Sequence, residues 1–426
     1  MKQLLHITAH LGGGAGKAIS GLIQNIEGYE NVVVLLEAPQ DDKYCKVCED
    51  AGCKVIVAPC RDEIISLAEK ADAVVFNWWS HPLSVDLLRE LVDVPTRLLI
   101  WSHINGLQYP VLTADFLDAF DGIMLTSPCS VKNERFTEEQ KQRLLQKCSF
   151  VYGMGNFHPE AFPYKSNYEF GNRVRIGYIG TLDFAKLNPA FPRICSEIKR
   201  SVSNAEFILC GKFTEEFKRS FFSDDPSLEE CTVFTGFVTD PVKHLQSFDV
   251  FCYPLAEENY ATTENALLEA MAVGLPVVVL NNPAEREIVD NDVTGLVADD
   301  VDDFIRRTVD LCGDACQRSM FGKAAREYVI KKYSAKNNAG SFVGCVEKSL
   351  FSEKHKHDFK ELIGNDIWEN FLNFCGDDRD KIVRLMNGEN MKLSGVYYSE
   401  SKSSPRHYSQ YFENSNLTNL VERLTK

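Results

Sequence analysis

The chain has 426 residues, enough for two domains and an extension, with 44% hydrophobic and 25% charged residues, an ordinary globular balance. Its net charge of −15, from 46 basic and 61 acidic side chains, argues against nucleic acid as a main partner and against strong electrostatic docking on anionic membranes. No apolar run approaches the roughly 20 residues of a membrane helix. The N-terminal MKQLLHITAHLGG is too short in its apolar part, and too broken by glycine, for a secretion signal. The expected location is cytoplasmic, with at most peripheral contact at the inner face of a membrane.

Strand-like runs recur at 4–9, 31–36, 54–58, 73–76, 96–101 and 122–125, with helical stretches between them. This alternation predicts a doubly wound α/β domain over residues 1–165. The first strand leads into His10-Leu-Gly-Gly-Gly-Ala-Gly-Lys17, which opens a helix. Glycines at Gly13 and Gly14 let the backbone approach a ligand closely, and the N–H groups that follow suit a phosphate. The run is neither a Walker A loop nor a G-x-G-x-x-G fingerprint in register, so a tight turn without a ligand is the competing reading. Two histidines follow later strands: His81 in Asn77-Trp-Trp-Ser-His81 and His103 in Trp101-Ser-His103. Strand ends of such sheets line ligand sites.

Fourteen cysteines are scattered mostly through apolar contexts, where a reduced thiol packs as a small hydrophobe. Cys45, Cys48 and Cys53, with Cys60 close behind, have a spacing that could ligate zinc. Because the first two fall on a predicted helix and the third at its end, no metal is expected there, although spacing alone does not decide it.

A second cycle of strands begins at Val174, with runs at 175–179, 206–210, 232–234, 250–253 and 276–280, so residues 172–335 form a second α/β domain. Gly180-Thr-Leu-Asp-Phe-Ala-Lys186 closes its first strand, and Cys210-Gly-Lys212 its second. The stretch Val250–Val297 is the most informative. An apolar strand gives way to a polar loop, then a helix over 263–273, stopped by Gly274 and Pro276, then another strand. Thr263, Glu264, Asn265 and Glu269 stand at or just inside that helix N-terminus, where free N–H groups and the helix dipole favour an anion. Asn265 and Glu269 are one turn apart and share a face suited to neighbouring hydroxyls, as on a ribose. Glu264 and Glu269 are about 140° apart on a helix and would serve different parts of a ligand.

These residues resemble the donor-site motif of retaining, family-4-type glycosyltransferases (glycosyl transferases group 1). Glu269-Ala-Met-Ala272, Gly274, Pro276-Val-Val278 and Thr294-Gly-Leu-Val297 match that pattern in type and spacing. The resemblance implies a GT-B fold, two Rossmann-like domains facing across a cleft. It implies a hexosyltransferase-type enzyme that moves a sugar from a nucleoside-diphosphate sugar to a hydroxyl on a glycan, lipid-linked glycan or protein. Glu269 would bind the ribose, Lys186 the diphosphate, with Lys212 as a further cation, and His103 the transferred sugar. Two departures stand out: the first Glu of the family's E-x7-E falls on Ala261, and Thr181 replaces a usual Arg. Glu264 is the candidate to take over the sugar contact. No cofactor and no metal are implied, since a lysine and helix dipoles suffice for the diphosphate. Asp290-Asn-Asp292, Asp300-Val-Asp302 and Asp378-Arg-Asp380 read as turns or helix starts. The competing readings are a non-catalytic nucleotide- or glycan-binding or scaffold protein, and a sugar-nucleotide epimerase. Residues 336–350 resemble the closing helix of the fold; 351–426 lie outside the resemblance and read as an ordered extension of unknown role.

Overall fold

The computed structural model describes residues 1–168, 172–257, 259 and 261–425; parts of the expected inter-domain join and of the 256–263 loop lie outside them. The chain forms two compact units, residues 1–156 with 335–426, and residues 157–334.

The first unit is built on a seven-stranded, fully parallel sheet in the order β3-β2-β1-β4-β5-β6-β7. Its strands are β1 (Lys2–Thr8), β2 (Tyr29–Leu35), β3 (Lys54–Val57), β4 (Ala73–Trp78), β5 (Leu98–Ser102), β6 (Gly122–Leu125) and β7 (Cys148–Phe150). β4 and β5 are buried along their whole length, as expected of central parallel strands covered on both faces. On one face Phe76, Trp78 and Ile100 meet Phe116, Phe120, Phe359 and Phe374. On the other, Leu4, Val33 and Trp101 meet the helices Gly13–Ile23 and Ala335–Ser349. Each fully buried large apolar side chain contributes about 1.5–3 kcal/mol. β7 goes beyond the six strands read from the sequence, because three residues running straight on from a helix carry no alternation to read.

Residues 351–425 fold as short helices, among them Ile367–Asn373, Asp378–Met386, Pro405–Ser409 and Ser415–Thr425. They enclose a small core of Phe371, Tyr397, Tyr408, Leu417 and Leu420 that also takes in Tyr109. Phe359, Ile363 and Phe374 insert into the sheet's own core, so this segment is part of the first unit.

The second unit carries a six-stranded parallel sheet, β10-β9-β8-β11-β12-β13. Its strands are β8 (Val174–Ile179), β9 (Ala205–Cys210), β10 (Thr232–Gly236), β11 (Val250–Tyr253), β12 (Val277–Leu280) and β13 (Leu296–Ala298). β13 is the strand missed in sequence, again only three residues long. The key helix spans Asn265–Val273 rather than 263–273, with Glu264 at its N-cap and Gly274 ending it at φ +90°. Left-handed backbone at a helix end is where glycine is least strained. Asp300 caps the helix that follows β13, Asp378 opens another, and Asp290 forms a turn with Thr294.

His6 lies inside β1, fully buried, stacked on Phe342 and 3.2 Å from Asn31 Oδ1. Burial disfavours the imidazolium and brings its pKa down to about 4, the Asn31 hydrogen bond opposing only in part. The unfolded chain takes up the proton first, so this contribution is present above about pH 6.5 and is lost as pH falls towards 4. We expect acid to destabilise the first unit by up to roughly 3 kcal/mol through His6. Unfolding measured from pH 7 to pH 4 should show a shallower pH slope in His6→Gln than in the wild type.

Candidate functional site

The C-terminal ends of the second unit's strands bring together the residues singled out around the Asn265–Val273 helix. Lys186, in the loop after β8, places its Nζ 3.0 Å from Glu264 Oε2. Tyr253, the last residue of β11, donates its hydroxyl to the same carboxylate oxygen, and its ring lies 5.8 Å from the Lys186 ammonium. Tyr178 stacks on Tyr253 at 5.5 Å and donates to the Thr181 carbonyl at 3.0 Å. Glu264 is only 8% exposed and does not cap its helix with its side chain. The arrangement therefore sets a fixed cation beside a helix N-terminus that the Glu264 side chain does not cap, the elements of an oxyanion or phosphate cradle.

A second carboxyl stands behind the first. Glu285, in the turn after β12, is fully buried, with Asn282 donating to Oε1 at 3.3 Å and, among the described residues, no hydrogen-bond partner on Oε2. Burial first, and then the negative charge of Glu264, push its pKa up to about 7. Neither Tyr253 nor Glu285 was picked out from sequence. The only signal for Tyr253 was its place at a strand end, and Glu285 had none.

The remaining predicted residues fall as follows. Asn265 and Glu269 are half-buried on the helix, and Thr263 is buried just before it. Lys212 is exposed beside the Phe237 ring at 5.7 Å, while its backbone carbonyl accepts from Leu182 N. The β8 and β9 loops are in direct contact there, since a Cβ on Gly211 would stand 1.7 Å from the Gly180 oxygen. Ala261 is buried and donates its N–H to Asn259 Oδ1.

The strand ends of the first unit hold a separate group. Gly13 has φ +56°, and a Cβ at Gly13 or Gly14 would meet nothing within 4 Å, so this backbone is open to a ligand. His103 follows β5 with its Nε2 3.2 Å from Asn77 Oδ1. The Asn77 amide nitrogen donates to the Ile7 and Val75 carbonyls, which fixes its oxygen towards His103. His103 Nε2 therefore carries the proton and Nδ1 the lone pair. Burial pushes its pKa down to about 3, so the ring is neutral near pH 7 and offers an acceptor, not a charge. Beside it lie Trp79, 6.0 Å away between ring centres, then His10 and His81. His81 caps the Pro82–Glu90 helix through Nδ1 and faces Glu37 at 3.5 Å through Nε2. Burial alone would raise Glu37, but hydrogen bonds from His81 and Tyr411 and the imidazoles nearby outweigh it and bring it to about 2. Glu37, Trp79, His407 and Tyr411 were not foreseen. The last two come from the extension, more than 320 residues from the strand ends they meet.

Cys48 and Cys53 are buried among apolar side chains, and burial raises both thiols to about 12.

Comparison with known proteins bears on the second unit first. Residues 173–314 match the family model of glycosyl transferases group 1. That match takes in β8 to β13 and the whole Lys186–Tyr253–Glu264 site. The amylovoran biosynthesis glycosyltransferase AmsK of Erwinia amylovora is 28% identical over 149 residues, 34% of this chain and 37% of that protein. A GDP-mannose-dependent alpha-(1-6)-phosphatidylinositol monomannoside mannosyltransferase of Mycobacterium tuberculosis is 27% identical over 180 residues, 40% of this chain and 46% of its own length. The match thus spans less than half of either relative. Among solved structures, Anabaena HepE in complex with UDP aligns with a TM-score of 0.64 at 13% identity, over 82% of this chain and 100% of that one. A glycosyltransferase from Rickettsia africae aligns with a TM-score of 0.62 at 12% identity, over 82% and 98%. The fold is GT-B, with two α/β units each on a parallel sheet. Among the described residues no helix is long and apolar enough to cross a membrane.

The raised Glu285 yields a test of the site's electrostatics. An acid whose folded pKa lies above its unfolded value loses stability as pH rises from about 4.5 through 7. Glu285→Gln is expected to stabilise the protein by roughly 1–3 kcal/mol at pH 8 and by little at pH 4.5. Denaturant unfolding of both proteins at the two pH values checks this.

Proposed function

We propose that the protein is a retaining glycosyltransferase that moves a sugar from a nucleoside-diphosphate sugar to a hydroxyl acceptor on a glycan, lipid-linked glycan or protein. The observation that carries the proposal is the Lys186–Glu264–Tyr253 group at the N-terminus of the Asn265–Val273 helix, inside the segment that matches the glycosyl transferases group 1 model. Support also comes from the two relatives, a glycosyltransferase and a mannosyltransferase, and from the complexes of Anabaena HepE with UDP and with UDP-glucose.

In this reading Lys186 and the helix N–H groups neutralise the diphosphate as it leaves, without a metal. Glu264 holds Lys186 in place and faces the sugar, in the role that Ala261 is unable to fill. Glu269 and Asn265 hold the ribose, and Gly13 and Gly14 leave room for the phosphates. The neutral His103 accepts a hydroxyl hydrogen of the transferred sugar on Nδ1. The leaving phosphate takes the acceptor's proton on the same face, so the chain supplies orientation and charge stabilisation. The competing reading, nucleotide binding without transfer, rests on Ala261 and Thr181.

A thermal-shift screen of nucleoside diphosphates and their sugars, followed by a transfer assay on the best donor, tests the reading. Binding with neither slow hydrolysis nor transfer to any acceptor would favour the binding protein. Glu269→Ala should weaken nucleoside-diphosphate binding by roughly 1.5–3 kcal/mol, about 10- to 150-fold in Kd, as measured by titration calorimetry. His103→Ala should instead lower kcat by at least about tenfold and leave that Kd nearly unchanged, since its contact belongs to the sugar. Affinity for the nucleoside diphosphate should be the same with and without excess chelator. A Kd that collapses in EDTA and returns with Mn²⁺ would show a metal-held diphosphate.

A further inference from the structure

Among the described residues, two groups of His, Cys, Asp and Glu place their ligand atoms within 4.8 Å of one another: His10, Glu37 and His81, and Asp121, His355 and His357. Hydrogen bonding separates them. In the first group His81 Nδ1 accepts from the Leu83 N–H at 3.3 Å, so a neutral ring carries its proton on Nε2, directed at Glu37. That network is complete without an ion.

The second group is wired the opposite way. His357 Nδ1 lies 3.3 Å from the Ala119 carbonyl oxygen, and His355 Nδ1 lies 3.5 Å from that of Glu353. Each carbonyl is an acceptor only and suits a proton on Nδ1; in that tautomer each Nε2 presents a lone pair. Both Nε2 atoms face one carboxylate: His355 Nε2 is 3.5 Å from Asp121 Oδ1, and His357 Nε2 is 3.4 Å from Oδ2. The Thr96 carbonyl lies 3.4 Å from the same His357 nitrogen. Acceptors thus converge on one point from several sides, and the two imidazoles stand only 4.3 Å apart between centres. A histidine nitrogen that accepts a backbone N–H, as His81 does, marks a helix cap; an Nδ1–H donated to a carbonyl is the usual second contact of a metal-ligating histidine.

The spacing agrees. A tetrahedral zinc ion with ligands at 2.0–2.2 Å sets them about 3.3–3.6 Å apart. Each imidazole already stands at that distance from one oxygen of Asp121, 3.5 Å to Oδ1 and 3.4 Å to Oδ2. His355 bridges antiparallel to Thr96, and on extended chain residues i and i+2 share a face, which puts His357 beside it. Lys354 and Lys356 turn elsewhere, to the Glu69 carbonyl and to Asp93. His355 is exposed, which leaves an open side for a fourth, exchangeable ligand.

We propose that Asp121, His355 and His357 form a binding site for one divalent transition-metal ion of the zinc type, which fastens the start of the C-terminal extension to the sheet of the first unit. Asp121 immediately precedes β6 and also accepts the Leu98 N–H at 2.7 Å, so the ligand set is anchored in the sheet. The site lies at the N-terminal ends of the strands, the opposite end from His103 and Trp79, and is independent of the glycosyltransferase reading.

The test uses the full chain, stripped with chelator and titrated with Zn²⁺, with metal content read after gel filtration and Tm read in parallel. The wild type should retain one equivalent and gain roughly 5 °C or more at a hundredfold excess of free Zn²⁺ over Kd. His355→Gln/His357→Gln should lose both the equivalent and the shift, while Glu37→Gln keeps them. Equal retention and shift in the wild type and the double variant, or none in either, would overturn the proposal. Co²⁺ bound to the wild type supplies a readout that needs no variant: nitrogen and oxygen ligation gives visible bands without a thiolate charge-transfer band. A thiolate band would place the ion on the cysteines and overturn the proposal as well.

Discussion

Every strand in both sheets runs parallel to its neighbours, and this constraint organises the chemistry of the whole chain. Parallel pairing forces each strand to return through a crossover, so all strand ends of one kind emerge on one edge of each sheet. Residues far apart in sequence are thereby delivered to a common edge. In the first unit these are His10, Glu37, Trp79, His81 and His103; in the second they are Lys186, Lys212, Tyr253 and Glu264. The interiors of both sheets are nearly all apolar, so polar function is pushed to the loops that leave them.

The same burial sets the charge states. His103 is held neutral with one proton on a known nitrogen, which suits it to a directed hydrogen bond and not to ion pairing. Glu37 and Glu285 are both substantially enclosed carboxyls, yet one is driven to about 2 and the other to about 7. The difference is their company. Glu37 receives hydrogen bonds from His81 and Tyr411, whereas Glu285 has one weakly placed amide and another carboxylate beside it. Lys186 is the cation on which that second site turns: it holds Glu264 and lies over the Tyr253 ring.

The extension is more than an appendage. Its Phe359 and Phe374 fill the sheet's core, and Ser403 donates to the carbonyl of Ser80, a buried residue held at φ +62°. A non-glycine residue in that region persists only where its surroundings over-determine it. Ser80 lies between Trp79 and His81, so the extension helps to set the geometry of the strand-end group. His407 and Tyr411 complete the contact.

Residue order by itself determined the repeated β–α alternation, the two sheets and the donor motif around Glu269, because hydrophobic period, glycine stops and local spacing are properties of neighbours in the chain. It carried the Lys186 and Glu264 assignments as separate candidates, without showing that they touch. The short strands β7 and β13 were not legible, since three residues hold no period. Only the tertiary structure decided which polar groups meet: Tyr253 with Glu264 and Lys186, Glu285 behind them, Tyr411 and His407 over Glu37 and His81, and Asp121 against His355 and His357. Those pairings join residues up to several hundred positions apart. Whether a carboxylate ends near 2 or near 7, and which nitrogen of a histidine holds the proton, depends on the neighbours that folding supplies.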